Sequence, residues 1–281
     1  MKSEIQDNLF SQLKNHIIST PVTGELPDDY QGMILGGCVS IVQKTGDKVL
    51  LDHLERYAAA IIDRCSHEGD HFKQQFENGK ADFYIGTIAA FLFDVTGDGK
   101  YKDFASSLYE KLTLYLQSEH DEGNAVNVSR LHAYMPFYTD YETRWNKKNG
   151  YNDICDRFKS AFELIRSDDG KISLSDKILF LKSVIDSLNL ISIQIYEDYR
   201  LLEDILRQGI KDLFFKKEDF DKILDLDDTD KLIAAYVLLT SIDKGHIALE
   251  KYRSLAVELL NVNDKDILYL IDKYFADAVL V

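Results

Sequence analysis

Two short turns, Thr45-Gly46-Asp47 and Thr96-Gly97-Asp98, lie 51 residues apart and constrain the fold more than any other feature of the chain. Each follows a stretch that is apolar all round, Met33 to Val42 in one copy and Phe83 to Phe93 in the other. A helix can afford that only where protein surrounds it. Each turn also precedes a stripe at helical spacing. In the first copy it is Leu50, Leu51, Leu54, Tyr57, Ala58, Ile61 and Ile62; in the second, Tyr101, Phe104, Ala105, Leu108 and Leu112. The repeated unit is therefore a helical hairpin with one enclosed, inner helix and one outer helix buried on a single face. A fixed period of this size belongs to arrays in which each unit buries its apolar face on its neighbours.

Three more hairpins follow. The third pairs Leu131 to Trp145 with Tyr151 to Ile165 around the turn Asn146 to Gly150. In the fourth, the apolar run Ile178 to Ile195 precedes a helix striped by Leu201, Leu202, Ile205, Leu206, Ile210, Leu213 and Phe214. In the fifth, Leu232 to Leu239 precedes a helix striped by Leu249, Tyr252, Ala256, Leu259 and Leu260. One helix is left over at each end, from about Ser3 to Ile18 and from about Asp264 to Ala278. If these two pair, six inner and six outer helices close into a ring, so the expected fold is all-α, an (α/α)6 toroid. An open solenoid of five hairpins would need polar capping helices, and neither end is polar on all faces. No Gly/Ser/Pro-rich linker divides the chain, and residues 1–281 are expected to form a single domain.

A net charge of −15 opposes phosphate backbones and anionic membranes, and no run of Lys and Arg offsets it locally. Neither nucleic acid nor a membrane is expected as a partner. The first thirty residues lack the basic start and short apolar core of a signal peptide, which points to the cytoplasm. Cys38, Cys65 and Cys155 fit neither a disulfide framework nor a zinc pattern and read as reduced core residues. The segment Asp94 to Gly99 imitates the opening of a calcium loop, but its twelfth position is Ala105 rather than a bidentate Glu, so it reads as a hairpin turn. His67, Asp70 and His71 have the character of metal ligands but no second cluster to complete a site. No metal and no cofactor is expected, and neither a phosphate-binding loop nor a nucleophile elbow occurs.

Four segments in this order, TGDKVLLDHLERYAAAIID, KADFYIGTIAAFLFDVTGDGKYKDFASSLYEKL, LHAYMPFYTDYE and LIAAYVLLTSIDKGHIALEKYRSLAVELL, resemble the unsaturated glucuronyl and rhamnogalacturonyl hydrolases of glycoside hydrolase families 88 and 105. The resemblance implies an (α/α)6 barrel whose cleft holds two aspartates. In that family the second acts as general acid and base: it protonates the double bond of an unsaturated uronic sugar and activates the water that adds across it. The glycosidic link then falls apart. The resemblance assigns the first aspartate to Asp82. The second is replaced: Ser129 stands at its position, and a shifted alignment puts His132 there. The loop with His, Trp and Arg that holds the sugar in the family is shortened here to SDDGKISLSD, and the Ser-rich opening of the fifth inner helix reads DDTDK, residues 227–231.

Asp82 directly precedes an apolar helix, where a carboxylate caps the helix, lines a cleft, or does both. His132, opening the third inner helix, has the side chain suited to proton transfer near neutral pH, and equally suits a buried rim position. These two form the expected catalytic pair. The expected substrate-binding set is Ser129, Arg130, Tyr134, Asp140, Arg144 and Trp145, with the arginines supplying cations for an anionic sugar and Trp145 an aromatic face. The expected partner is a small saccharide, one containing uronic acid where the resemblance holds in full. The other reading is an inactive toroid that binds carbohydrate or protein.

Overall fold

The computed structural model describes residues 14–15, 17–19, 21–24, 29–67, 83–121, 126–168, 170–215, 217–247 and 250–260. No strand occurs among them. The elements are α1 (Asp29–Thr45), α2 (Lys48–His67), α3 (Tyr84–Thr96), α4 (Gly99–Asp121), a 3-10 turn (Val128–Arg130), α5 (Leu131–Arg144), α6 (Tyr151–Ser167), α7 (Leu174–Leu188), α8 (Tyr196–Phe214), α9 (Lys217–Leu224), α10 (Asp228–Asp243) and α11 (Glu250–Leu260). The pairs α1/α2, α3/α4, α5/α6, α7/α8 and α10/α11 are the five expected hairpins. The two terminal helices expected to complete a sixth, most or all of each, lie outside the described residues, as does Asp82.

The two Thr-Gly-Asp turns are built alike. Thr45 and Thr96 donate their hydroxyls back to the carbonyls of Ile41 (2.8 Å) and Leu92 (2.7 Å) and accept the N–H of Asp47 and Asp98, both at 3.2 Å. Each aspartate then accepts from the first amides of the next helix, Asp47 from Val49 and Leu50 and Asp98 from Lys100. Gly46 and Gly97 bend the chain at φ +67 and +69, a region that carries little penalty only for glycine. Threonine satisfies the ending helix, glycine turns, and aspartate caps the starting one.

The described residues fall into two compact units, one up to Tyr109 and the other from Glu110 onward. In the first, α1, α2 and α3 pack mutually around Leu35, Cys38, Ile41, Leu54, Ile61 and Ile88. Gly36 on α1 is required by that packing, because a Cβ there would run into the hydroxyl and ring of Tyr84 on α3. Cys38 is buried, and burial pushes its thiol up to about 12. Cys155 is buried in the second unit, whereas Cys65, also expected to be a core residue, is only half-buried near the end of α2 in the first.

In the second unit α7 is the hub, packed on α5, α8 and α10. Every residue from Leu131 to Asp140 on α5 and from Ile233 to Ser241 on α10 is buried, as expected of inner helices, while α6 and α8 bury one face each. Two features depart from the sequence reading. The apolar run from Ile178 does not continue as helix to Ile195: α7 ends at Leu188, and residues 189–195 turn, held where the Ser192 N–H donates to the Tyr151 hydroxyl at 2.9 Å. Ile193 is left exposed. The short helix α9 was not expected, since two turns carrying only Phe220 and Ile223 as buried residues give periodicity too little length to register.

Candidate functional site

Apart from Asp82, which lies outside the described residues, the expected site residues lie on or beside α5, and the helix separates them. At its start, the 3-10 turn Val128–Arg130 rests on α7. The Ser129 hydroxyl donates to Asn127 Oδ1 at 2.8 Å, Arg130 is half-buried, and His132 is buried. Pro136, one turn later, lacks the N–H that would bond the His132 carbonyl within the helix. Tyr134 is buried and meets Tyr115 edge to face, with ring centroids 6.1 Å apart.

Asp140, Arg144 and Trp145 belong to the other end. At 1.5 Å per residue, Arg144 stands roughly 18 Å along the axis from His132. Asp140 is 2% exposed and accepts from Arg144 Nε at 2.5 Å, so this pair neutralises itself one turn apart. Trp145 packs edge to face on Tyr141, centroids 5.1 Å apart. Between these lies Glu142, fully buried, whose two carboxylate oxygens accept the Gly150 N–H (2.7 Å) and the Asn146 amide (2.8 Å). Lys148 donates its N–H to the Glu142 carbonyl at 2.9 Å. Glu142 thereby closes a turn in which Lys147 and Lys148 both take positive φ, 55 and 65. Gly150 has no alternative there, since a Cβ would lie 2.7 Å from both the Glu142 carboxyl and the Tyr138 hydroxyl. The geometry thus gives one group at the start of α5, Ser129, Arg130, His132 and Tyr134, and a second, Asp140, Glu142, Arg144 and Trp145, toward its end.

Two polar constellations were not singled out from the sequence. At the start of α7, Ser173 caps the helix by accepting the Asp176 N–H, and the Ser175 hydroxyl donates to the Asp230 carboxylate in a short contact that joins the starts of α7 and α10. Asp227 caps α10 by accepting the Asp230 N–H at 3.0 Å. Burial holds the Asp230 carboxyl above the usual carboxylate range, with Asp227 and Asp176 adding to the effect and the Ser175 hydrogen bond opposing it. This aspartate stands in the DDTDK segment, where the sequence showed only a missing serine run. The second constellation is Lys182, 3% exposed, bonded to Asp186 at 2.6 Å, with the Tyr236 hydroxyl of α10 donating to the same carboxylate. Its trace in the sequence is a Lys and an Asp four residues apart inside an otherwise apolar helix.

Elsewhere, Asp98 is engaged as a cap and in a 2.8 Å ion pair with Lys100, and His67 Nδ1 lies 2.7 Å from the Asp63 carbonyl; Asp70 and His71 lie outside the described residues. Among the described residues no group of three or more His, Cys, Asp or Glu is gathered to hold a metal ion. No helix among them is long and apolar enough to cross a membrane.

Repeated helical hairpins, enclosed inner helices and amphipathic outer ones define the class, an all-α protein of the (α/α)6 toroid type. Among solved structures, the fold is that of a glycoside hydrolase from family 105 of C. acetobutylicum ATCC 824. The TM-score is 0.65 and the identity 15%, over 92% of this chain and 85% of that one. No family model matches the sequence, and no curated protein matches it.

Proposed function

We propose that this chain binds small saccharides and hydrolyses unsaturated uronyl oligosaccharides, with the start of α5 as part of the site. The observation that carries the proposal is the fold shared with a family 105 glycoside hydrolase over 92% of the chain. In this reading Asp82 is the surviving cleft carboxylate, Arg130 supplies a cation for the uronate, and His132 lies beside the reacting sugar. The missing second acid is replaced by Asp230, a half-buried carboxyl held above the usual carboxylate range by burial. The three cysteines are free, in keeping with a reducing, cytoplasmic setting.

The test follows the ultraviolet absorbance of the conjugated double bond in unsaturated uronyl oligosaccharides. The wild-type protein removes it, Asp82→Asn abolishes the loss, and Asp230→Asn slows it by roughly a hundredfold or more, the usual contribution of a positioned acid. Absence of turnover in the wild type, with no sugar bound at millimolar concentration, refutes the proposal.

A second reading, a saccharide-binding or protein-interaction toroid without catalysis, is favoured by one observation. Ser129, which the resemblance sets at the acid's position, has its hydroxyl turned to Asn127, and Asp140 on the following helix is paired with Arg144. Under this reading the wild type consumes no unsaturated oligosaccharide; a saccharide-binding toroid still holds the sugar, whereas for a protein-interaction toroid neither the wild type nor Ser129→Asp binds or consumes it.

A further inference from the structure

Between the ends of α6 and α8 and the starts of α7 and α9 lies a hollow of about 550 Å³ that no part of the proposed reaction uses. That volume suits a small organic ligand. Its floor is aromatic and aliphatic. The rings of Phe162 and Phe180 lie parallel within 5°, centroids 6.2 Å apart, beside Leu181, and Phe215 stands at the mouth 54% exposed. Gly209 lets α8 come close here, since a Cβ would sit 2.5 Å from Leu181 Cδ2.

The rim is charged in the opposite sense to the molecule. Arg166, Lys177, Lys211 and Lys222 line the hollow with Asp212 and Asp219, and with Asp168 bonded to Lys177 the local balance is an excess of one positive charge on a chain whose net charge is −15. Lys177 is bonded to Asp168 at 2.9 Å and Lys222 to Asp219 at 3.1 Å, while Arg166 meets Asp212 only at 3.8 Å, with its guanidinium over the Phe162 ring. Lys211 is exposed, and it is shared, with Phe162, by a second hollow of about 460 Å³ that extends the groove along α8 past Leu201 and Ile205. At physiological ionic strength charges more than about 8 Å away are largely screened, so these nearby cations outweigh the distant acidic surface.

We propose that this groove is a binding site for a monoanionic amphiphile, an aromatic or acyl body bearing one carboxylate or sulfonate. The body lies on Phe162, Phe180 and Leu181, and the acid group is met by Arg166 and Lys211, which have the weakest ties to protein carboxylates on the rim. An acyl body extends along the second hollow; an aromatic one stays over the paired rings. This site is independent of the saccharide reading.

The test uses 8-anilinonaphthalene-1-sulfonate as probe, titrated by calorimetry against the full chain and monitored by fluorescence. The combined variant Arg166→Glu/Lys211→Glu is expected to weaken binding about tenfold or more, the loss of charge-assisted contacts. Phe215→Ser weakens it as well. Lys159→Glu, an exposed position on α6 outside both hollows, carries the charge reversal of one such substitution and leaves affinity unchanged. Because a loosened protein also binds this dye, circular dichroism melts of each variant must superimpose on the wild type; Arg166→Gln/Lys211→Gln repeats the test if the glutamates disturb folding. Two results overturn the proposal: unchanged affinity in both double variants, or an equal loss in Lys159→Glu. Equal affinity for the uncharged analogue N-phenyl-1-naphthylamine overturns the anionic part. Competition by decanoate against benzoate distinguishes an acyl from an aromatic body.

Discussion

His53 is the side chain on which the folding energetics can be tested most directly. It lies on α2 within the stripe Leu50, Leu54, Tyr57, Ala58 and Ile61, is 1% exposed, and neither ring nitrogen has a hydrogen-bond partner among the described residues. A buried polar group left unbonded costs about 1–3 kcal/mol relative to its hydrated state. Leucine has similar volume and no polar atom. His53→Leu should therefore stabilise the protein by about 1–2 kcal/mol at pH 7.5, after a discount for imperfect fit of the new shape. A second effect depends on pH. Burial, reinforced by Arg56, lowers the pKa of the imidazole below 6.5, so the folded state binds fewer protons than the unfolded state as the solution is acidified. The histidine's stability deficit is thus smallest above pH 6.5 and grows as pH falls through 6.5 toward the depressed folded value. The gain from His53→Leu should be larger at pH 5.5 than at 7.5. Urea unfolding at both pH values reads it as a shift in midpoint at unchanged slope. A variant that is less stable at pH 7.5, or one whose advantage does not grow on acidification, would refute the reasoning.

Three further perturbations follow from particular contacts. Glu142→Ala should destabilise by about 2–4 kcal/mol in urea unfolding, because it leaves the Gly150 N–H without its acceptor and removes the clamp on two left-handed lysines; Glu142→Gln, which keeps one acceptor, should cost less. Gly36→Ala should cost about 1–3 kcal/mol by displacing the Tyr84 ring, and a double-mutant cycle with Tyr84→Ala should recover most of that loss. Asp168, hydrogen-bonded first by Lys177 and also by the amides of Ile172 and Lys171, has its carboxyl held at about 2, below the usual 3.8. Its stabilisation is complete above the unfolded value and disappears as pH falls through about 2, so wild type and Asp168→Asn should differ at pH 6 and converge at pH 2, with the carboxyl titration read directly by NMR.

The hairpins were legible because their signals are local. Thr45 and Thr96 bond within four residues, and each inner helix carries its apolar character on every face, so no knowledge of neighbours was needed. The end of α7 was not legible, because Leu190, Ile191, Ile193 and Ile195 continue its composition; what stops the helix is a contact with Tyr151 from 41 residues away. At the site, composition along α5 marked a group of candidate residue types, but not which partners each side chain would take. Asp140 and Arg144, expected to bind substrate, are paired with each other one turn apart. Asp230 and the Lys182, Asp186 and Tyr236 set escaped notice because partners 50 or more residues apart give them their meaning.

The Thr-Gly-Asp turns also bear on how the molecule reaches its fold. The bonds that the threonine and glycine make to the ending helix and the aspartate to the starting one span five residues or fewer, and only the added Lys14 contact to Asp47 comes from afar, so the ends of two helices are joined by local contacts. Closing so short a loop carries little entropic cost, and chains rich in such local contacts fold fast. A turn of this kind works as a self-contained joint. A whole hairpin could be gained or lost between two of them without orphaning a backbone bond in its neighbours, which gives an array of hairpins a simple way to change length in the course of evolution.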